Sequence, residues 1–105
     1  MSDTLHYTAL LQHWSMEGHG QLGYVSITDD AADFLKAHEL MRRLELGKRR
    51  GFGSIKVKLR CGDSRWTTSA FPQKGGSWFL PIKKAIQKAE GLLEGQQVEL
   101  ELEPV

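Results

Sequence analysis

The stretch RWTTSAFPQKGGSWFLPIKKAIQKAEG, Arg65–Gly91, holds the pattern that decides the fold. Its first seven residues contain aromatic and β-branched side chains typical of a strand, and Gly75 with its glycine neighbour then marks a turn. Trp78–Leu80 predicts a second short strand. Pro81 is expected to begin a helix, because its missing N–H costs nothing in a first turn. The stretch therefore predicts a strand hairpin followed by a capped helix, in which the dense aromatic residues fill a small core.

Further strands are predicted on both sides of this stretch. Residues 54–60 (SIKVKLR) and 98–103 (VELELE) alternate apolar and charged side chains. A period of two with one apolar face is typical of a half-buried antiparallel strand. Strands are also expected over 5–11 and 23–27, with residues 13–23 as a glycine-rich hairpin connection.

A first helix is predicted after the second of these strands. Thr28, Asp29 and Asp30 are N-cap candidates, and Gly47 favours an end near Leu46. The whole chain, 1–105, is expected to form one α+β domain that is mainly β, a small double-split β-barrel of about six strands with two short helices. The predicted core comprises Val25, Ile27, Phe34, Leu35, Ile55, Val57, Leu59, Ile82, Ile86, Val98, Leu100 and Leu102.

Composition excludes several classes of protein. The 105 residues carry a formal net charge of +1 and 40% apolar residues, which is typical of a globular domain. Cys61 is the only cysteine, so no disulfide can form within the chain. The first residues lack the pattern of a secretory signal, and no apolar run is long enough to span a membrane. We therefore expect a cytoplasmic protein with no membrane partner.

Three segments together resemble a known family: GFGSIKV at Gly51–Val57, RWTTSAFPQKGG at Arg65–Gly76 and FLPIKKAIQKAEG at Phe79–Gly91. They are similar to the bacterial family called domain of unknown function 1905. The resemblance implies a double-split β-barrel, related in shape to swapped-hairpin transcription regulators, and it implies no activity. Two residues depart from the family pattern. Gln87 stands where an arginine is usual, and Gln96 where Gly-Asp is usual.

The strand after Arg65 also suggests a small-molecule site. Its hydroxyl groups and the basic start of the second predicted helix give the ligand-binding candidates Trp66, Thr68, Ser69 and Lys83. A barrel mouth is a common place for such a site. The competing interpretation is that one face of this strand only packs the core and the other pairs across strands.

The charge distribution suggests nucleic acid as another partner. From Arg42 to Arg65 the chain holds nine Lys or Arg and two acids, whereas from Glu90 to Glu103 it holds five glutamates and no Lys or Arg. Basic side chains along one strand face and its preceding loop could follow a phosphate backbone. The candidates are Arg49, Arg50, Lys56, Lys58 and Arg60. The alternative is that this basic face meets the acidic last strand or is solvated.

No motif indicates catalysis, a metal or a cofactor. The histidines lack metal-ligand spacing, and no Walker, dinucleotide-binding or nucleophile-elbow pattern occurs. Ser69 and Lys83 form the one conceivable Ser–Lys pair. Arg60 and Arg65 could lower the pKa of Cys61, but a cysteine at a turn is more often an incidental surface thiol. The sequence favours a non-catalytic binding or interaction module, as monomer or homodimer. A nucleic-acid-associated protein and a small-molecule-binding or hydrolase-like barrel stay open as alternatives.

Overall fold

The computed structural model describes residues 4–16, 20–47 and 53–105, which form seven strands, two α-helices and one 3-10 turn. The helices are α1 (Asp29–Leu46) and α2 (Lys84–Ala89), and the 3-10 turn is Lys74–Gly76. The strands are β1 (Leu5–Leu10), β2 (Gln12–Met16), β3 (Gly20–Ile27), β4 (Ile55–Cys61), β5 (Ser64–Pro72), β6 (Trp78–Ile82) and β7 (Gln97–Pro104). No helix in this part of the chain is long and apolar enough to cross a membrane.

The strands form one curled antiparallel sheet, a half-barrel, in the order β1-β7-β4-β5-β6-β3-β2. The two end strands of this order, β1 and β2, are consecutive in the chain and are separated by Leu11 alone. One bent stretch of chain therefore pairs with β7 through its first half and with β3 through its second half. The sheet must curl so that its two ends meet at Leu11.

Hydrogen bonds fix this closure at two places. The Leu11 N–H donates to the carbonyl of Gln96 at 2.9 Å, and the Leu11 carbonyl accepts from the N–H of Gly95 at 2.8 Å. Farther along β1, the Tyr7 hydroxyl donates to the carbonyl of Ser26 at 3.2 Å and accepts from the N–H of Thr28 at 3.0 Å. The bent strand is thus tied both to the start of β7 and to the end of β3.

The core inside the half-barrel confirms the predicted set. All twelve predicted core residues are buried except Phe34, which is half-buried and packs against the others. The structure adds side chains that strand alternation alone did not single out. These are Leu11, Ala31, Ala32, Cys61, Trp66, Ala70, Trp78 and Leu80.

The sequence interpretation of residues 13–23 as a hairpin connection is wrong for most of that segment. Strand β2 runs to Met16 and β3 already begins at Gly20, so the hairpin joins these two strands. The glycines misled the prediction because two of them, Gly20 and Gly23, lie in β3. Gly20 has a positive φ of 76°, and Gly23 is a buried strand residue. The count of strands is accordingly seven instead of about six.

The prediction that Pro81 begins a helix is also wrong. Pro81 lies in β6, opposite Tyr24 of β3, and α2 starts only after the N-cap residue Lys83. The φ that proline fixes suits an extended strand as well as a first helical turn. Strand β6 pairs with β5 only through Phe79 and Trp78, so Pro81 lies where that edge is open and a missing N–H is tolerated.

Helix α1 has the predicted limits, but its 18 residues make it a long helix rather than a short one. Gly47 adopts a φ of 73° at the C-cap, and its N–H donates to the carbonyl of Arg43 at 2.9 Å. Thr28 occupies the N-cap position without a side-chain capping bond. Its hydroxyl instead lies 3.1 Å from the Tyr7 hydroxyl, so this residue serves the closure of the sheet.

We expect Leu11→Ala to lower the free energy of unfolding by about 2–5 kcal/mol, because a fully buried leucine would leave a cavity at the junction of the two sheet ends. The neighbouring Leu10, which is 51% exposed, provides the matched control, and Leu10→Ala should change stability far less. Urea unfolding followed by tryptophan fluorescence measures both. Equal losses would contradict the role of Leu11 as the closing residue.

Candidate functional site

The four predicted ligand-binding residues do not share one face of the structure. Trp66 and Thr68 lie on the face of β5 that includes the buried Ala70, whereas Ser69 lies on the opposite face. Lys83 is exposed at the start of α2. The Trp66 indole Nε1 is buried without a hydrogen-bond partner among the described residues. A binding role for this set stays a prediction, and its members are not brought together.

The basic column of β4 lies beside the acidic column of β7. Lys56, Lys58 and Arg60 are all exposed on the outer face of the sheet. In the register, Lys58 faces Glu103 and Arg60 faces Glu101. Arg60 Nη1 lies 3.4 Å from the Glu101 carboxylate in a half-exposed ion pair. The basic face therefore meets the acidic last strand, which was the alternative to nucleic-acid binding.

The acidic neighbours weaken the case for nucleic acid. Glutamates that lie opposite these basic residues, on the neighbouring strand β7, lower the positive potential that would attract a phosphate backbone. Two of the predicted contact residues, Arg49 and Arg50, lie outside the described residues. Binding of nucleic acid by Lys56, Lys58 and Arg60 therefore remains a prediction, with less electrostatic support than the sequence alone suggested.

The sequence interpretation of Cys61 is wrong. The side chain is buried at the end of β4, only 7% exposed, instead of lying on a surface turn. Burial raises the pKa of the thiol above its ordinary value, and the carboxylates of Glu90 and Glu99 raise it further. Glu90 is held nearby by a hydrogen bond from the Ser64 hydroxyl at 2.6 Å. Burial and acids, not Arg60 and Arg65, set the chemistry of this thiol.

We expect Cys61 to react slowly with iodoacetamide in the folded protein at neutral pH, because little of the thiol is ionised. The pH at which half the maximal rate is reached should be higher in the folded chain than in urea. The folded state holds the proton more tightly, so stability should fall as the pH rises past the pKa of the unfolded thiol. A lower midpoint pH for alkylation in the folded chain than in urea would contradict the raised pKa of Cys61.

A cleft between β2 and α2 is the strongest candidate site. It encloses about 440 Å³ and is lined by His13, Lys84, Gln87, Lys88, Gly91, Leu92 and Leu93. β2 supplies the histidine, α2 supplies the two lysines and the glutamine, and the connection from α2 to β7 supplies the rest. Among the described residues, no group of three or more His, Cys, Asp or Glu could hold a metal ion.

Hydrogen bonds orient the centre of this cleft. The Gln87 amide Nε2 donates to the carbonyl of Ile82 at 2.7 Å, which turns Oε1 toward His13. His13 Nε2 lies 2.9 Å from that oxygen and must donate to it, because an amide oxygen only accepts. The other ring nitrogen, Nδ1, lies 3.4 Å from the Glu94 carboxylate. A protonated imidazolium would donate to both oxygens.

A glycine makes room for this network. Gly23 of β3 is buried beneath Gln87, and a Cβ there would overlap the amide nitrogen and lie 2.8 Å from Cδ. The sequence prediction missed the site, because His13 and Gly23 were assigned to a connection and Gln87 was noted only as a departure from a pattern. The available indication was a glycine inside an apolar strand, which often marks close approach of another group.

Among the described side chains at the cleft, positive charges outnumber negative ones. Lys84 and Lys88 are exposed, and neither has an ion-pair partner among the described residues. Lys84 Nζ lies next to Gly20, 3.6 Å from where a Cβ would be. Within the described ranges, the carboxylate of Glu94 lies near the cleft, where it contacts His13. The cleft therefore presents two free ammonium groups beside an oriented histidine.

The family model for a domain of unknown function, DUF1905, matches residues 7–102, nearly the whole chain. The chain belongs to the DUF1905 family. No curated protein matches the chain. The match confirms the predicted family and extends over part of β1 and all of β2, which the three resembling segments do not include. Membership in DUF1905 carries no activity with it, so the function has to be argued from the cleft.

We expect Gly23→Ala to displace the Gln87 amide and to cost about 1–3 kcal/mol of stability, because the Ile82 carbonyl and His13 lose their partner. In a Gln87→Ala background the added methyl group has space, so the same substitution should cost much less. A double-mutant cycle by urea unfolding measures the coupling. Additive effects of the two substitutions would show that Gly23 and Gln87 are not in contact.

Proposed function

We propose that this DUF1905 protein is a non-catalytic binding module that holds a small organic anion, carrying a carboxylate or phosphate group, in the cleft between β2 and α2. The observation that carries the proposal is the pair Lys84 and Lys88, two unpaired ammonium groups one helical turn apart on the wall of a cavity. Ammonium groups at this spacing lie on the same side of a helix and can converge on one ligand.

The orientation of the neighbouring groups supports an anion. The Gln87 amide is fixed by the Ile82 carbonyl, and it fixes His13 in turn. These groups need no reorganisation when a ligand arrives, which lowers the cost of binding. Among the described residues, the two lysines of the cleft outnumber the one nearby carboxylate, Glu94. The net charge of the cleft is then positive.

The apolar part of the cleft suggests a ligand larger than an inorganic ion. Leu92 and Leu93 line one side, and Leu93 is 69% exposed. Small-molecule sites commonly combine an apolar wall with a few placed polar groups, and 440 Å³ lies within their usual range of volume. We therefore propose an organic anion with an apolar portion facing these leucines.

Binding rather than covalent chemistry fits this set of residues. The lining residues within the described ranges include no serine, threonine or cysteine to act as a nucleophile. Cys61, with its raised pKa, is buried on another strand. The two lysine ammonium groups can hold an anion without a further reaction partner.

We expect one class of anion among inorganic phosphate, citrate, a sugar phosphate and an aromatic carboxylate to raise the melting temperature. At a free concentration one hundred times Kd, a ligand that binds only the folded state adds about 2.7 kcal/mol of stability. For a domain of this size that corresponds to a rise of roughly ten degrees or more. Differential scanning fluorimetry at constant ionic strength measures it, and titration calorimetry gives Kd.

The matched variants are Lys84→Gln with Lys88→Gln in the cleft, and Lys56→Gln with Lys58→Gln on β4. Both pairs remove two positive charges from exposed positions. The cleft variant should weaken binding by about tenfold or more, whereas the β4 variant should keep wild-type affinity. Absence of any stabilising anion, or an equal loss in the two variants, would overturn the proposal. A loss confined to the β4 variant would move the site to the outer face of the sheet.

A further inference from the structure

We propose that the outer face of β2, β3, β6 and β5 binds single-stranded nucleic acid, with unpaired bases on its aromatic rings and phosphates on the neighbouring Lys56 of β4. The proposal is independent of the cleft, because the cleft lies against the other side of β3, at Gly23. It concerns six residues, which we call the aromatic face: Trp14, Leu22, Tyr24, Phe71, Phe79 and Pro81.

Strand pairing places the aromatic face in one row across the sheet. The directly opposed pairs are Trp14 with Leu22, Tyr24 with Pro81, and Phe71 with Phe79. Opposed residues point to the same side of a sheet, and the alternate positions Gly23, Val25 and Leu80 are buried on the other side. Neighbouring pairs are two residues apart on β3 or β6, so the row is continuous. It crosses four strands, about 14 Å at roughly 4.8 Å per strand spacing.

The rings of the aromatic face are accessible and already oriented. Trp14 is 56% exposed and Phe71 is 39% exposed. Tyr24 and Phe79 are half-buried and stack on each other, with ring centroids 4.7 Å apart. The Tyr24 hydroxyl donates to Gln12 Oε1 at 2.9 Å, which fixes the pair further. Rings held in place before a ligand arrives bind it at a lower entropic cost.

Charge on this half of the sheet favours an anionic partner. Strands β2, β3, β5 and β6 contain no aspartate or glutamate. The exposed Lys56 lies opposite Ser69 and therefore diagonally next to Phe71, within reach of a long side chain. Lys58 and Arg60 face glutamates of β7, whereas Lys56 makes no ion pair among the described residues. The aromatic face thus borders a free ammonium group.

Single-stranded nucleic acid combines the two chemistries that this surface offers. Unpaired bases stack on aromatic side chains, and phosphates bind ammonium groups. Sheets of four strands commonly stack two or three bases on their aromatic residues, which suits the length of the row. The hydroxyls of Thr67 and Ser69 lie on the same side and can donate to phosphate oxygens. A second copy of the chain would bring the same acid-free strands, so Lys56 would meet no carboxylate on them.

Fluorescence anisotropy tests the proposal with labelled oligothymidine and oligouridine of about twelve nucleotides, titrated with the full chain. At least one of them should bind more tightly than a duplex of equal length, whose bases are paired, and the two arms distinguish DNA from RNA. Trp14→Leu with Phe71→Leu should weaken binding by about tenfold or more, because leucine keeps the apolar surface but cannot stack on a base. The matched control, Trp14→Phe with Phe71→Tyr, keeps the rings and should retain most of the affinity.

A second pair of variants tests the charge. Lys56→Gln should weaken binding and reduce the slope of log affinity against log salt by about 0.7, the value for one phosphate contact on a single strand. Lys88→Gln, which removes an exposed lysine from the cleft, should change neither. Absence of binding to both single strands at low salt, equal affinity for the duplex, or unchanged affinity in the leucine variant would overturn the proposal. Self-association in sedimentation velocity that only the leucine variant abolishes, without oligonucleotide binding, would instead make this face a contact between copies.

Discussion

The whole sheet depends on one constraint at Leu11. A single residue separates the strand that pairs with β7 from the strand that pairs with β3, so the first and last strands of the sheet are covalently adjacent. A flat sheet of seven strands cannot satisfy this connection, because its end strands would lie far apart. The chain bends at a buried leucine whose N–H and carbonyl are both bonded to the connection before β7.

The same constraint positions the candidate site. His13 follows the Leu11 corner by two residues, and Glu94 precedes the Gly95 that bonds to the Leu11 carbonyl. The bend therefore brings β2 against the connection between α2 and β7, with Gln87 between them. Gly23 completes the fit because it lets the Gln87 amide lie on the strand. The hydrogen bonds that close the sheet and those that orient the cleft belong to one structural unit.

The charged side chains are arranged differently on the outer face of the sheet and beside α2. The strongly basic and strongly acidic segments of the sequence become neighbouring strands, and the Arg60–Glu101 ion pair lies between them. A half-exposed pair of this kind contributes little stability, but it lowers the potential of the outer face. Lys84 and Lys88 have no such acidic neighbours in register. Both lysines line the cleft beside α2, where composition gave no indication of a site.

Local pattern alone determined the period-two strands β4 and β7, helix α1 with its glycine end, part of the core and the family, because each depends on residues close in sequence. Tertiary structure decided what depends on pairing between distant residues. Pro81 joined β6 because β3 pairs with it, and the segment after Leu11 became β2 because β3 was available as a partner. His13 and Gln87 are 74 residues apart, and only the curl of the sheet brings them into one hydrogen bond.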